Sequence, residues 1–212
     1  MKRIIVGLVM FLGFVGVAFA GPFSGVGGDA DYFPKNGPIG SFFLVPMLNL
    51  ESTSASSIYG LEGVIGWSDL SFSIKYGKQG DSNFTGLGIR KKILGEDNMP
   101  FSCALIYDVD GILAQNSSVN GSYLGAIFSK KIDNLFPYIA ILSTTYYTSA
   151  NVGGTTVWNY IYGTGLAGGV RYDYSDNWAI KGELNYNILS TTASMPSPKS
   201  VMSLIVAASF RR

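Results

Sequence analysis

Seven ionisable residues stand out in this chain because of what surrounds them. Glu62, Lys75, Arg90, Asp108, Arg171, Lys181 and Glu183 all fall within stretches where apolar and polar residues alternate, and all lie on the polar parity. Side chains of a strand point to opposite faces with period two, so the seven charges share one face and the apolar residues the other. Buried charges must pair or meet water. Four cations and three anions can therefore do one of two things: form ion pairs that fill a narrow interior, or line a slightly cationic path that favours small anions.

Other residue sets carry less. The chain has no histidine, which closes mechanisms with a His base and His-ligated zinc. Ser73 and Lys75 share a face and could be imagined as a Ser-Lys pair, but ordinary placement on an amphipathic strand explains them. Gly163-Thr164-Gly165-Leu166-Ala167-Gly168 fits the spacing G-x-G-x-x-G. A dinucleotide site needs that turn between a strand and a helix, whereas here the pattern runs on into Val170-Arg171-Tyr172 as strand. Asp108-Val109-Asp110-Gly111 resembles the opening of a calcium loop without its later Glu, and interior charges near a strand end are the better reading. Cys103 is the single cysteine; its parity puts it on the apolar face as a small hydrophobe. No catalytic, cofactor-binding or metal-binding residues are expected.

The elements that must position the charges are legible. Leu70, Phe72, Ile74 and Tyr76 alternate with Ser71, Ser73, Lys75 and Gly77. The same pattern returns over Phe101–Asp110 and Trp178–Asn187. Strands are expected at about 40–50, 58–67, 70–78, 84–94, 101–110, 122–132, 136–147, 157–174, 178–189 and 201–211. Pro46 cannot donate to a ladder and suggests a bulge or irregular pairing. The strand near 136–147 is apolar on both faces, so its orientation stays open. Connections alternate between short (Ser68-Asp69, Gly95–Pro100, Asp133-Asn134, Ser175–Asn177) and longer, Ser/Thr/Asn/Gly-rich ones (Ser52–Ser57, Gln79–Asn83, Gly111–Gly121, Thr148–Thr156, Ser190–Ser200).

Residues 1–20 read as a cleaved signal peptide: Lys2 and Arg3, an apolar run from Ile4 to Val17, then Ala18-Phe19-Ala20 before Gly21. The mature region 21–212 opens with a Gly/Pro/Asp-rich lead-in over 21–38. Without Lys2 and Arg3, the 15 basic residues become 13 against 14 acidic ones, so no general affinity for nucleic acid follows. Charged residues make up only 14% of the chain, against roughly 25% in ordinary soluble domains. Beyond the signal, no apolar run approaches the roughly 18 residues of a membrane helix.

An exported, charge-poor chain of alternating ten-residue segments predicts an all-β fold. The expected form is a closed antiparallel up-and-down transmembrane barrel of about ten strands, with eight as the alternative. A soluble lipocalin-like barrel also alternates, with its apolar face inward. Small residues on the polar face (Gly60, Gly66, Gly86, Gly88, Gly165) favour the membrane form. So does the turn and loop asymmetry, and so do aromatics near strand ends, read as an interfacial girdle of Trp67, Tyr76, Tyr107, Tyr172 and Trp178. A ten-stranded barrel has little room left after its side chains, which favours ion pairs as a plug over a weakly anion-selective pore.

On these patterns the chain resembles the small bacterial outer-membrane barrels of the OmpA-transmembrane, OmpX and opacity-protein type. The resemblance implies residence in the outer membrane among its lipid and lipopolysaccharide, and assembly by the barrel-assembly machinery. That machinery recognises a last strand ending in an aromatic residue. Met202, Leu204, Val206, Ala208 and Phe210 match this alternation, although Arg211-Arg212 follow. The expected role is non-catalytic: envelope structure, surface interaction or limited passive permeation. Related outer-membrane enzymes resemble one another in using His, which this chain lacks.

Overall fold

The computed structural model describes residues 29–31, 39–49, 55–95, 99–113, 117–152, 155–191 and 199–211. The expected signal peptide and most of the lead-in lie outside them. Ten strands follow in order: β1 Ile39–Asn49, β2 Ala55–Trp67, β3 Leu70–Gln79, β4 Ser82–Leu94, β5 Ser102–Leu113, β6 Ser117–Ser129, β7 Leu135–Val152, β8 Thr155–Asp173, β9 Trp178–Thr191 and β10 Lys199–Arg211. Each strand pairs antiparallel with its neighbours in sequence, and β1 pairs with β10 to close the barrel. Closure leaves no sheet edge, so the backbone can satisfy its own polar groups in a medium that offers none.

The faces follow from the alternation. In β3, Ser71, Lys75 and Gly77 are buried in the lumen, while Phe72, Ile74 and Tyr76 are exposed on the outside. The exterior is an apolar belt, with Leu61 63%, Ile74 63%, Leu87 62% and Leu166 61% exposed. The lipocalin-like alternative needs these side chains inside, and the register puts them outside. Strand β7, ambiguous in sequence, turns Tyr138, Ala140, Leu142 and Tyr146 inward and exposes Ile139 and Ile141.

Several boundaries differ from the sequence expectation. Strand β6 begins at Ser117 and stops at Ser129, so the polar stretch Ser117–Gly121 is ladder, not loop. Strands β7 and β8 likewise extend through Val152 and from Thr155, where Val152 pairs with Thr155. The physical reason is that a ladder needs backbone partners, not apolar side chains. The stretch Gln79–Asn83, expected as a longer loop, is a two-residue turn at Gly80-Asp81, with Gly80 at φ +56°, a region glycine enters without steric cost. At the opposite end, Ser68 and Asp133 take positive φ in tight turns. Pro46 makes no bulge. The pairing of β1 with β10 lapses at Val45 and Pro46 and resumes in the same register at Met47.

The lumen is the core. One apolar cluster includes Ala104, Ile106, Ile127, Tyr138 and Leu142. A second gathers Phe43, Ile58, Phe84, Ile112, Ile205 and Ala207. The rings of Phe43 and Phe84 meet edge-on at 6.0 Å. The inward face thus carries large apolar side chains besides the small residues and charges read from the sequence. It alternates glycine with bulk.

Candidate functional site

All seven singled-out charges point into the lumen and are buried: Glu62, Lys75, Arg90, Asp108, Arg171, Lys181 and Glu183. They do not form one ring; pairing across strands divides them into three groups. In the first, Lys75 on β3 reaches over β4 to β5, where its Nζ lies 2.9 Å from Asp108 and 3.8 Å from Asp110. The Tyr123 hydroxyl on β6 donates to the other Asp108 oxygen at 2.8 Å. Glycines make this reach possible. Gly88 and Gly86 stand directly opposite Asp108 and Asp110, and a Cβ at either would come within 2.3 Å of the facing carboxylate oxygen.

In the second group, Lys181 on β9 faces Glu62 on β2 at 3.8 Å, and the Tyr138 hydroxyl donates to Glu183 at 2.6 Å. Tyr138 lies opposite Gly169, where a Cβ would meet its ring at 2.4 Å. Gly165 gives Asn187 the same kind of room. The G-x-G-x-x-G stretch thus sits inside β8, and its inward Gly165 serves packing rather than phosphate contact.

The third group sits at the end of the lumen near the short turns. Arg171 lies directly opposite Lys181 across β8 and β9, a like-charge juxtaposition that is unfavourable unless compensated. Its guanidinium reaches Asp29 at 2.8 Å and Asp173 at 2.9 Å, and stacks 3.7 Å from the centre of the Phe136 ring. Arg90 donates to the Asp29 backbone carbonyl at 2.9 Å. Ala30 N–H donates to Ser129 Oγ, Asp31 N–H donates back to the Asp29 carboxylate, and Lys92 pairs with Asp31. Asp29 and Ala30 are fully buried. A piece of the lead-in, read from sequence only as an irregular segment, is packed inside the barrel.

Sequence reasoning missed Asp29, Asp31, Lys92 and Asp173 as members of the lumen network. Asp110 was read with Asp108 as an interior charge near a strand end, and it lies there, fully buried. Asp29 and Asp31 carried no periodic signal. Their inclusion changes the balance of charge. Among the described residues the interior holds five cations (Lys75, Arg90, Lys92, Arg171, Lys181) against seven anions (Asp29, Asp31, Glu62, Asp108, Asp110, Asp173, Glu183). The cationic surplus read from the seven original residues becomes an anionic one.

The remaining candidates are placed as follows. Lys75 is engaged by two carboxylates, so it is no base for Ser73. Its ammonium also occupies the position a divalent cation would take between Asp108 and Asp110. Among the described residues, no three His, Cys, Asp or Glu side chains are grouped to hold a metal ion. Cys103 keeps its outward parity but is only 9% exposed, between Leu94 on β4 and Phe128 on β6. Of the five aromatics read as a girdle, Trp67, Tyr172 and Trp178 lie at the turn end, and the Trp178 ring packs 5.1 Å from Phe210. Tyr76 lies toward the loop end of β3, where Tyr147, Tyr160 and Tyr162 are also exposed at their own strands' loop ends. Tyr107 lies midway along β5.

No protein-family model matches the chain, and neither does any curated protein. Among solved structures it is similar to Neisserial surface protein A, with 13% identity, a TM-score of 0.41, and coverage of 82% of this chain and 96% of that one. It is also similar to the N-terminal β-barrel domain of Pseudomonas aeruginosa OprF, with 12% identity, a TM-score of 0.43, and coverage of 82% and 98%. The KdgM porin gives 10% identity, a TM-score of 0.44, and coverage of 82% and 99%. At these values the likeness is one of barrel architecture alone.

Proposed function

We propose that this chain is a non-catalytic barrel of the bacterial outer membrane with a sealed lumen, serving envelope structure or surface interaction. One observation carries the reading: an apolar exterior encloses an interior in which charges are buried in opposite-sign pairs. Lys75 and Arg171 are each 2% exposed, and Asp29 and Asp110 are fully buried. A conducting path would leave such groups in contact with water. Lumen and exterior are thus inverted relative to a soluble protein, and lipid is the solvent that suits the outside.

The narrow, weakly anion-selective pore is the competing reading. The anionic surplus of the lumen disfavours it, as do the apolar clusters that interrupt the polar band. Lipid, lipopolysaccharide and the barrel-assembly machinery, addressed through Phe210, are the partners this reading implies, and export precedes insertion. Single-channel recording on the refolded barrel in a planar bilayer tests it. Small or absent conductance is expected. Steady anion-selective current, abolished by Arg171→Gln, would overturn the sealed lumen. Recovery of the chain as a detergent-free monomer would overturn membrane residence.

A further inference from the structure

Glu62 is only 8% exposed, yet its carboxylate takes no hydrogen bond from the protein among the described residues. Lys181, the cation it pairs with, stands 3.8 Å away, beyond hydrogen-bond reach. Lys75 lies directly opposite Glu62 in the ladder but gives its ammonium to Asp108 and Asp110. A buried carboxylate without donors is costly. The hydroxyls of Ser71 and Ser73, on the inward face of β3, are in the same position: neither is hydrogen-bonded to the protein among the described residues, and Ser71 is 3% exposed. All three groups border one cavity of about 20 Å³, whose lining includes Gly88, Arg90 and Asp108. Gly88 keeps that space open, since a Cβ there would lie 2.5 Å from Ser73 Oγ.

We propose that this cavity is a binding site for a single water molecule, held by Glu62, Ser71 and Ser73, which joins the Glu62–Lys181 pair to the Asp108 group. The size fits: about 10–15 Å³ holds one water, which needs two to four polar partners. The chemistry fits as well. Glu62 can only accept, a serine hydroxyl can donate or accept, and a water supplies two donors and two acceptor sites. A polar contact stretched past about 3.5 Å is the usual place for such a bridge. A monovalent cation would meet the same oxygens, but it would share the cavity with the Arg90 guanidinium and crowd the ammonium on Asp108. A neutral ligand escapes that repulsion. The inference goes beyond the sealed-barrel reading and does not rest on it, because one held water is not a conducting path.

Occupancy is tested in crystals of the whole barrel grown in sodium chloride and soaked in rubidium chloride. One peak is expected in the cavity, unchanged by the soak and without rubidium anomalous signal. It should lie about 2.5–3.0 Å from Glu62 and from at least one of the two serine hydroxyls. An empty cavity, or a Glu62 carboxylate bonded directly to a protein donor, would overturn the proposal. A rubidium peak would overturn it too and make this a cation site. The bridge is tested by a double-mutant cycle of Glu62→Gln and Ser71→Ala, read by urea unfolding in lipid vesicles. The two changes should be non-additive by at least about threefold in the ratio of folded to unfolded chain, and a smaller coupling refutes the bridge. If Glu62→Gln does not refold, a cycle of Ser71→Ala and Ser73→Ala takes its place with the same threshold. Current through a barrel that holds this water would defeat the sealed lumen and leave the site standing. A silent barrel with an empty cavity would do the reverse.

Discussion

Replacing Lys75 with methionine should be among the most damaging single changes in the barrel. Methionine nearly matches the length of the lysine stem, so the perturbation is mainly the loss of one charge. At an effective dielectric of about 20, a unit pair at 2.9 Å attracts by about 6 kcal/mol and one at 3.8 Å by about 4 kcal/mol; these are the distances to Asp108 and Asp110. Desolvation of the buried ions offsets most of that attraction, so the pairs add little net stability. Removing one member is another matter. Asp108 and Asp110 would face each other's charge without a cation, and orphaning a buried partner costs about 3–5 kcal/mol. The assay is reversible urea unfolding in vesicles, followed by tryptophan fluorescence and checked by heat-modifiable gel mobility. Lys75→Met should lower stability by that amount. Adding Asp108→Asn and Asp110→Asn should recover a large part of it, because the variant then buries amides instead of charges. A loss below about 1 kcal/mol for Lys75→Met, or no recovery in the triple variant, would refute the assignment of this cluster as a buried, charge-compensated unit.

Four further outcomes follow from the same geometry. Gly88→Ala should destabilise by about 1–3 kcal/mol as an overpacking change, since its Cβ would lie 2.3 Å from Asp108 Oδ1 and 2.5 Å from Ser73 Oγ; the urea midpoint measures the loss. Tyr138→Phe should cost about 1.5–3 kcal/mol, the value of a hydrogen bond to a charged group, because it strips Glu183 of its 2.6 Å donor. Leu184→Arg, on the outward face of β9, should reduce insertion by about 2–4 kcal/mol if it lies near mid-bilayer, measured as the folded fraction on vesicles; an unimpaired variant would show that this face does not meet lipid. Trp67 and Trp178, 67% and 51% exposed at the turn end, should be quenched more by lipids brominated near the headgroup than by those brominated deep in the chain, in a variant with Trp158→Phe.

How much of this was legible depended on which physical constraint acted where. Leu70–Gly77 announced its strand because lipid on one side and a packed lumen on the other force opposite chemistry on alternate residues. Ser117–Gly121 did not. At the loop end the hydrophobic demand on the outer face ends while the ladder continues, so the polarity pattern vanishes before the strand does. The inward placement of Lys75, Glu62 and Lys181 could be read from parity. Their partners could not, because pairing across strands depends on register and on which neighbours are glycine. Tyr138 was hidden for a related reason: its strand is apolar on both sides, and only the facing Gly169 shows that a tyrosine fits the interior. Asp29–Asp31 left no trace at all. A short segment outside the sheet has no period, and its burial is decided by Arg90, Lys92, Ser129 and Arg171, about 60 to 140 residues away.

The facing of glycine and bulk across the lumen also bears on how such a chain can diverge. Gly86 with Asp110, Gly88 with Asp108, Gly169 with Tyr138 and Gly165 with Asn187 each share one slot of the interior between two strands. Neither member can grow unless the other shrinks, so neutral drift at these sites must proceed by paired exchange or by a first step through the smaller state. Outward positions such as Leu61 and Leu87 face no such partner and can wander among apolar types one at a time. Sequences descended from a common ancestor with this barrel should therefore differ freely along one parity of each strand. On the other parity they should differ in coupled couples, and those couples would report the register of neighbouring strands even where overall identity has faded.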